Sequence, residues 1–245
     1  MFHNGIYKII SKAESLKGLN ADEAYELLLC KDLITRKKII SLAKKIKNKI
    51  YGKRIVLFSP LYLSNFCNNS CLYCGFSKSN LNLKRKKLSK DEITSEVTYL
   101  LKQGVKRILI VSGETYNLDY IIESISHIYS INHNGNNIRR INVNIAPLTI
   151  EDFKRLKKAQ IGTYQIFQET YNKDLYKKYH PLGTKSDFDF RYYAPFRAIE
   201  AGIKDIGMGI LFGLNKPEEE IYFLLKHIEE MKKNFGIGPH TISVP

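Results

Sequence analysis

No stretch of the 245-residue chain approaches the ~18 consecutive apolar residues that a membrane-spanning helix requires. The N-terminus, MFHNGIYKIISKAESLKG, lacks the apolar region and small-residue cleavage site of a secretory signal, so the chain reads as cytoplasmic, with no membrane partner. Cysteine is scarce. There are four, and three of them fall within eight residues, a spacing that excludes a sensible disulfide framework and points to metal. Arginine is scarce too, supplying nine of the 39 basic residues. The net charge of +15 therefore comes mostly from lysines scattered among asparagine and isoleucine. That pattern reads as solvated faces rather than a nucleic-acid footprint, and it leaves an RNA-binding or RNA-modifying iron-sulfur protein as the alternative of another class. The densest basic run, Lys84, Arg85, Lys86 and Lys87, reads as a solvated loop. No Pro/Gly/Ser-rich linker or composition shift divides the chain.

What is present is enough apolar residue, 44% of the chain, for a sizeable core. Residues 20–30 (NADEAYELLLC) open on a capping residue and an acidic first turn, and residues 33–50 repeat Ile39, Ala43, Ile46 and Ile50 at helical spacing. Residues 1–50 are thus expected to be a helical extension and residues 51–245 a barrel domain. The continuous apolar run at 54–63 (RIVLFSPLYL) predicts a strand buried on both faces. Five further strands are predicted at 107–113, 141–147, 162–170, 205–214 and 240–245. Ser89 with Glu92 forms a capping box before an apolar helical repeat, Thr149 and Asp152 can cap the next helix, and Pro195 and Pro217 suit first helical turns. Strand-helix alternation with short connections predicts an α/β fold, a parallel (β/α) barrel. The sequence stops right after the sixth strand, which predicts a barrel truncated there.

The motif CNNSCLYC at 67–74 follows the first predicted strand, at the carboxyl end where parallel barrels carry their active sites. Cys67, Cys71 and Cys74 can hold three irons of a 4Fe-4S cluster and leave the fourth without a protein ligand. A zinc knuckle or an electron-transfer cluster would need a fourth Cys or His, and the loop has none. Cys30, on the apolar side of a predicted helix, reads as a buried structural thiol. His180 and His240 read as hydrogen-bonded structural histidines.

The cysteine spacing, with an aromatic residue before the last cysteine, resembles the radical S-adenosylmethionine (SAM) superfamily. SPLYLSNFCNNSCLYCGF, IRRINVNIA, GTYQIFQETY, DIGMGILFGL and FGIGPHTISVP resemble its tyrosine lyases, over about Ile50 to Pro245. The resemblance implies a radical-SAM-type barrel and SAM bound at the open iron, whose reductive cleavage gives a 5′-deoxyadenosyl radical. It also implies cleavage of the Cα–Cβ bond of L-tyrosine to p-cresol and dehydroglycine, and an electron donor such as ferredoxin or flavodoxin. IRRINVNIA and GPHTISVP side with the family's FeFe-hydrogenase maturases, which make carbon monoxide and cyanide for the H-cluster. The alternative branch is the 2-iminoacetate synthases of thiamine thiazole synthesis, to which Arg191 and the Ala194-Pro195 pair are more similar. The maturase branch also implies a second, auxiliary iron-sulfur cluster in a segment after Pro245, and a chain ending there is expected to cleave SAM with poor coupling to tyrosine. Residue by residue, the resemblance implies that Ser112, Gly113 and Glu114 meet the SAM amino group and Arg191 its carboxylate. Glu169 would meet its ribose or methionine part and Tyr73 its adenine. Asn144 would face the same barrel end, and Ser243 would help hold the tyrosine carboxylate. No residue is assigned as a catalytic acid or base.

Overall fold

The computed structural model describes residues 2–115 and 117–245, and they fall into two compact units. One unit comprises residues up to Val56 together with Asn215–Gly236. It holds helices α1 (Phe2–Glu14), α2 (Ala21–Leu28), α3 (Leu33–Tyr51) and α10 (Pro217–Phe235). Asn20 and Glu23 make a reciprocal capping box on α2, and Asp32 caps α3 by accepting from the Thr35 amide at 2.7 Å. Because α3 needs that cap, the chain leaves the helical path at Leu28. Cys30 therefore lies beyond α2 and is half-exposed, which corrects the expectation of a buried thiol on a helix face. Within this unit α10 lies against α2: Glu229 accepts from the Ala21 amide at 2.8 Å, and the Tyr25 and Tyr222 rings sit 5.3 Å apart.

The other unit, Leu57–Leu214 with Ile237–Pro245, carries the sheet. Its strands are β1 (Ser59–Ser64), β2 (Arg107–Ser112), β5 (Arg140–Asn144), β6 (Tyr164–Glu169), β7 (Ile206–Ile210) and β8 (Thr241–Ser243). They pair in that order, every pair parallel, with β1 and β8 at the edges. The connections carry α4 (Lys90–Lys102), α5 (Leu118–Ser130), α6 (Ile150–Lys158), α7 (Lys173–Tyr179), α8 (Phe188–Tyr192) and α9 (Ala194–Glu200). Ser89/Glu92 and Thr149 cap α4 and α6 as their sequences predict, and Pro195 and Pro217 stand in first turns. A parallel sheet with crossover helices buries both faces, and Ile108, Ile110, Ile141, Val143, Ile206 and Ile210 are all buried.

Two local expectations change. The first strand begins at Ser59 rather than residue 54, because Ser59 pairs with Ile108 and β2 begins at Arg107, leaving earlier residues without a ladder partner. Residues 55–58 are accordingly exposed, Leu57 by 77%. Pro60, which lacks an amide donor, suits an edge strand and argues against a fully paired one. The second change is a hairpin, β3 (Asn132–His133) with β4 (Asn136–Asn137), turning at Asn134-Gly135. An Asn-Gly pair is a strong hairpin signal that the helix-strand alternation obscures.

Candidate active site

The cysteine loop leaves β1 and is tied to its surroundings along its length. The Asn68 amide donates to Glu114 O at 3.1 Å, Ser70 to Leu182 O at 3.2 Å, Leu72 to Tyr179 O at 3.1 Å and Lys78 to Asn69 O at 2.7 Å. The end of β2 presses on the loop's first residues. A Cβ on Gly113 would stand 2.3 Å from Phe66 O, so only glycine fits. Gly183 is similarly constrained, with φ 95° and Asn69 Oδ1 2.3 Å from where its Cβ would be. Cys71 is buried, and Cys67 and Cys74 are half-exposed. Burial pushes the Cys71 thiol up to about 11, against the lowering charge of Lys185, so ligation by that sulfur releases a proton at neutral pH.

Among the described residues no three His, Cys, Asp or Glu side chains converge as the ligands of one metal ion do. Three soft sulfur donors on one braced loop are a donor set that suits an iron-sulfur cluster, in which each thiolate takes its own iron.

Behind the loop lies a buried quartet of charges. Arg191 Nη1 donates to Glu114 Oε1 at 2.8 Å, and Lys185 Nζ donates to Glu169 Oε1 at 2.6 Å. The pairs are cross-linked: Lys185 is 3.9 Å from Glu114 and Arg191 is 3.8 Å from Glu169. Arg191 Nε donates to Phe167 O at 2.6 Å, and Asn69 Nδ2 donates to the other Glu114 oxygen at 3.1 Å. Two anions and two cations leave the set neutral, as burial demands, since an uncompensated charge there costs several kcal/mol. Burial is the strongest single influence on Glu114 and pushes its pKa up. The charges of Arg191 and Lys185, with hydrogen bonds from Arg191 and Asn69, together outweigh it and hold that carboxyl below its usual range. Glu169 has φ 72°, left-handed for a non-glycine residue, where the β6–β7 register shifts between Phe167 and Glu169. A bulge of this kind re-aims a side chain at a cost of roughly 1–2 kcal/mol.

Tyr73 and His180 form a second connection. His180 Nδ1 lies 2.8 Å from Tyr176 O and so donates to it, which makes Nε2 the acceptor for the Tyr73 hydroxyl, also at 2.8 Å. Burial, aided by the Lys185 charge, lowers the His180 pKa to about 4, so its imidazole is neutral. Its reading as a structural histidine matches this geometry, whereas His240 is exposed. The Tyr73 ring meets Tyr179 and His180 edge-on.

A cavity of about 270 Å³ opens beside the loop, and its lining includes Asn68, Ser112, Gly113, Glu114, Ile145 and Leu148. Ser112, Gly113 and Glu114 are thus gathered at one cavity, while Glu114, Glu169 and Arg191 meet in the quartet. Asn144 ends β5, in register with Val111 and Gln165, and Ser243 ends β8 opposite Gly209; neither lines that cavity. Arg191, which helical periodicity leaves open as a surface residue, is only 3% exposed.

Sequence reading missed Lys185, Asn69, Arg85 and Gln168. Nothing in the local pattern around Lys185 marks it apart from the twenty-nine other lysines, and its role depends on the Gly183 turn and on Asn69, whose Oδ1 accepts from the Lys185 amide at 2.9 Å. Arg85 departs from the expected solvated run: its guanidinium donates to the loop carbonyls of Asn65, Phe76 and Ser77 at 2.7, 2.9 and 2.6 Å. Gln168 Nε2, buried beside the bulge, has no hydrogen-bond partner among the described residues, and such groups in native proteins are the ones a ligand or water satisfies.

A parallel sheet whose first strand delivers a three-cysteine loop to a buried acid-base cluster defines a class, and residues 61–228 match the Radical SAM superfamily. The chain belongs to that superfamily, whose membership implies a 4Fe-4S cluster and SAM. Among solved structures it is similar to HydG, a maturase of the FeFe-hydrogenase, at 45% identity and TM-score 0.97, covering 99% of this chain and 54% of that one. HydG from Carboxydothermus hydrogenoformans matches at 47% identity and TM-score 0.92, covering 99% and 56%. The 2-iminoacetate synthase of Salmonella typhimurium is 31% identical over 240 residues, covering 96% of this chain and 62% of the relative. The chain thus spans between half and two thirds of the length of these relatives.

Proposed function

We propose that this chain is the catalytic barrel of a radical SAM tyrosine lyase of the hydrogenase-maturase kind, cleaving the Cα–Cβ bond of L-tyrosine to p-cresol and dehydroglycine. The single observation that carries the reading is the 45% identity with TM-score 0.97 to HydG across 99% of the chain. The 2-iminoacetate synthase reading, favoured by the 31% match to the Salmonella enzyme, shares the same cleavage and differs in the fate of dehydroglycine.

In this reading Cys67, Cys71 and Cys74 hold the 4Fe-4S cluster. Bound there, the cluster and SAM would supply the radical chemistry for hydrogen abstraction from the substrate amine. The chain's own residues bind and orient. Glu114 takes the SAM ammonium and Arg191 its carboxylate, exchanging the bond they now make to each other; a zwitterion entering between them keeps the buried set neutral. An arginine fork suits a carboxylate in two-point contact. Glu169 at its bulge, Tyr73 beside the last cysteine, Ser112, Gly113 and Asn144 form the remaining SAM-facing set, and Ser243 on β8 faces the tyrosine carboxylate. The electron that the bound cluster would need would come from an external one-electron carrier such as ferredoxin or flavodoxin. The auxiliary cluster of the maturase kind is assigned to the part of the relatives that this chain does not span. No described helix is long and apolar enough to cross a membrane, and we assign the protein to the cytoplasm.

The test is anaerobic. The full-length protein is loaded with iron and sulfide, given SAM, reductant and tyrosine, and assayed for p-cresol and 5′-deoxyadenosine together. Tyrosine-dependent formation of both is expected, and deoxyadenosine without p-cresol from cluster-loaded protein would overturn the substrate assignment.

A further inference from the structure

Arg85 lies in the basic run at 84–87, yet its side chain is turned onto the cysteine loop. Nη1 donates to Asn65 O at 2.7 Å and to Phe76 O at 2.9 Å, and Nη2 donates to Ser77 O at 2.6 Å and to Asn80 O at 3.4 Å. Asn65 is two residues before Cys67, and Phe76 and Ser77 are two and three residues after Cys74. One guanidinium therefore bridges the two ends of the segment that carries all three cysteines. The contact is returned from the loop. Asn65 donates through Nδ2 to Lys84 O at 2.9 Å, and its Oδ1 accepts from the Lys86 amide at 2.7 Å. The neighbours in the run serve the adjoining helices instead. Lys86 pairs with Glu92 at 2.6 Å, and Lys87 stands 3.9 Å over the Tyr120 ring.

The chemistry of the side chain matters here. Arginine offers five donors in a planar fork, so it can reach carbonyls on both arms of a loop at once, whereas lysine presents three donors on one nitrogen. Drawing the arms of a loop together costs conformational entropy whenever it occurs. A brace made of protein atoms alone meets that cost before any metal arrives.

We propose that Arg85 is a positioning residue of the iron-sulfur site: it closes the cysteine loop in the metal-free protein, so that the three thiolates receive a cluster in a loop already formed. The inference rests on the assignment of Cys67, Cys71 and Cys74 as ligands, and two separate readouts distinguish its failure from the failure of that assignment. The first needs no metal. Hydrogen-deuterium exchange is followed in the metal-free full chain for the amides of Asn68, Ser70, Leu72 and Lys78, all of which are hydrogen-bonded in the closed loop. Arg85→Ala removes charge-assisted bonds, so exchange across 65–80 should rise by about tenfold or more, with β2, β5 and β6 unchanged. The second readout is the rate at which an iron chelator strips the reconstituted cluster, followed by absorbance, and it should rise in parallel. Arg85→Lys keeps the charge and loses the fork, so it should fall between wild type and Arg85→Ala in both measurements.

Wild-type exchange in the Arg85→Ala loop would overturn the proposal. So would faster exchange spread evenly over the sheet, which would make Arg85 a general fold contact, and so would complete rescue by Arg85→Lys, which would make charge the operative property. A triple cysteine variant that still bound stoichiometric cluster would remove the ligand assignment, and with it the role toward the cluster.

Discussion

Replacing Arg191 with Met probes the buried quartet most directly. The change removes the 2.8 Å bond to Glu114 Oε1 and the donor to Phe167 O, leaving Glu114 with Asn69 and with Lys185 at 3.9 Å. Removing one partner of a buried ion pair costs about 3–5 kcal/mol, because the remaining charge is stranded. For a chain of this size ~1 kcal/mol moves the unfolding midpoint by roughly 2–4 °C, so a fall of about 6–20 °C is expected at pH 8. The pH dependence separates this mechanism from simple loss of packing. In the parent protein Glu114 lies below its ordinary 4.5, so the stability it brings is complete above that value and is lost as pH falls through the lowered pKa. In the variant the largest opposing charge is gone, and burial drives the pKa above 4.5. The carboxylate then costs stability once pH climbs through the raised value, so the deficit is greatest at pH 8 and shrinks toward pH 5. Thermal unfolding of metal-free protein across that range measures it. The double variant Glu114→Gln, Arg191→Met should be more stable than Arg191→Met alone at pH 8. An equal deficit at both ends of the range, or a double variant no better than the single, would refute the reasoning.

Other outcomes follow from the same site. Changing Cys67, Cys71 or Cys74 singly to Ala should abolish reconstitution of a stable 4Fe-4S cluster, measured as iron and sulfide per chain. Gly113→Ala places a methyl 2.3 Å from Phe66 O and should cost about 1–3 kcal/mol in denaturant unfolding while loosening the loop that begins there. His180, lowered to about 4 from an ordinary 6.5, should show no imidazole titration between pH 5.5 and 8 by nuclear magnetic resonance. Its contribution to stability is then whole above pH 6.5 and is lost as pH falls from 6.5 toward 4, and a midpoint near 6.5 in the folded protein would contradict the hydrogen-bond assignment.

The strand-helix order was legible because it depends on local signals: a capping box at Ser89, an N-cap at Thr149, prolines in first turns, and apolar runs of strand length. The limits of β1 were not, since apolar content says nothing about where a partner strand begins. Residues 55–58 are as apolar as residues 61–63, and only the start of β2 at Arg107 separates exposed chain from ladder. Cys30 failed for a related reason. Helical periodicity continues through it, but the competing cap at Asp32 ends α2 first.

The site divides along the same line. The three cysteines are close in sequence, so their spacing carries the chemistry. The quartet draws Glu114, Glu169, Lys185 and Arg191 from four segments, and each residue taken alone has a bland reading as a turn acid, a strand end, a surface lysine or a helix arginine. What selects them is a condition on the set: buried charge must sum to zero, with every oxygen and donor engaged. Once Glu114 and Glu169 are known to be buried, two buried cations are required, and Arg191 alone cannot neutralise both. Lys185 follows from that balance even though no motif contains it. The balance also bears on ligand binding, because a cation alone or an anion alone entering the site would break it, whereas a zwitterionic amino acid group would not. Within the proposed reading, that condition matches the paired ammonium and carboxylate of SAM, because it depends on the neutrality of the set rather than on any single contact.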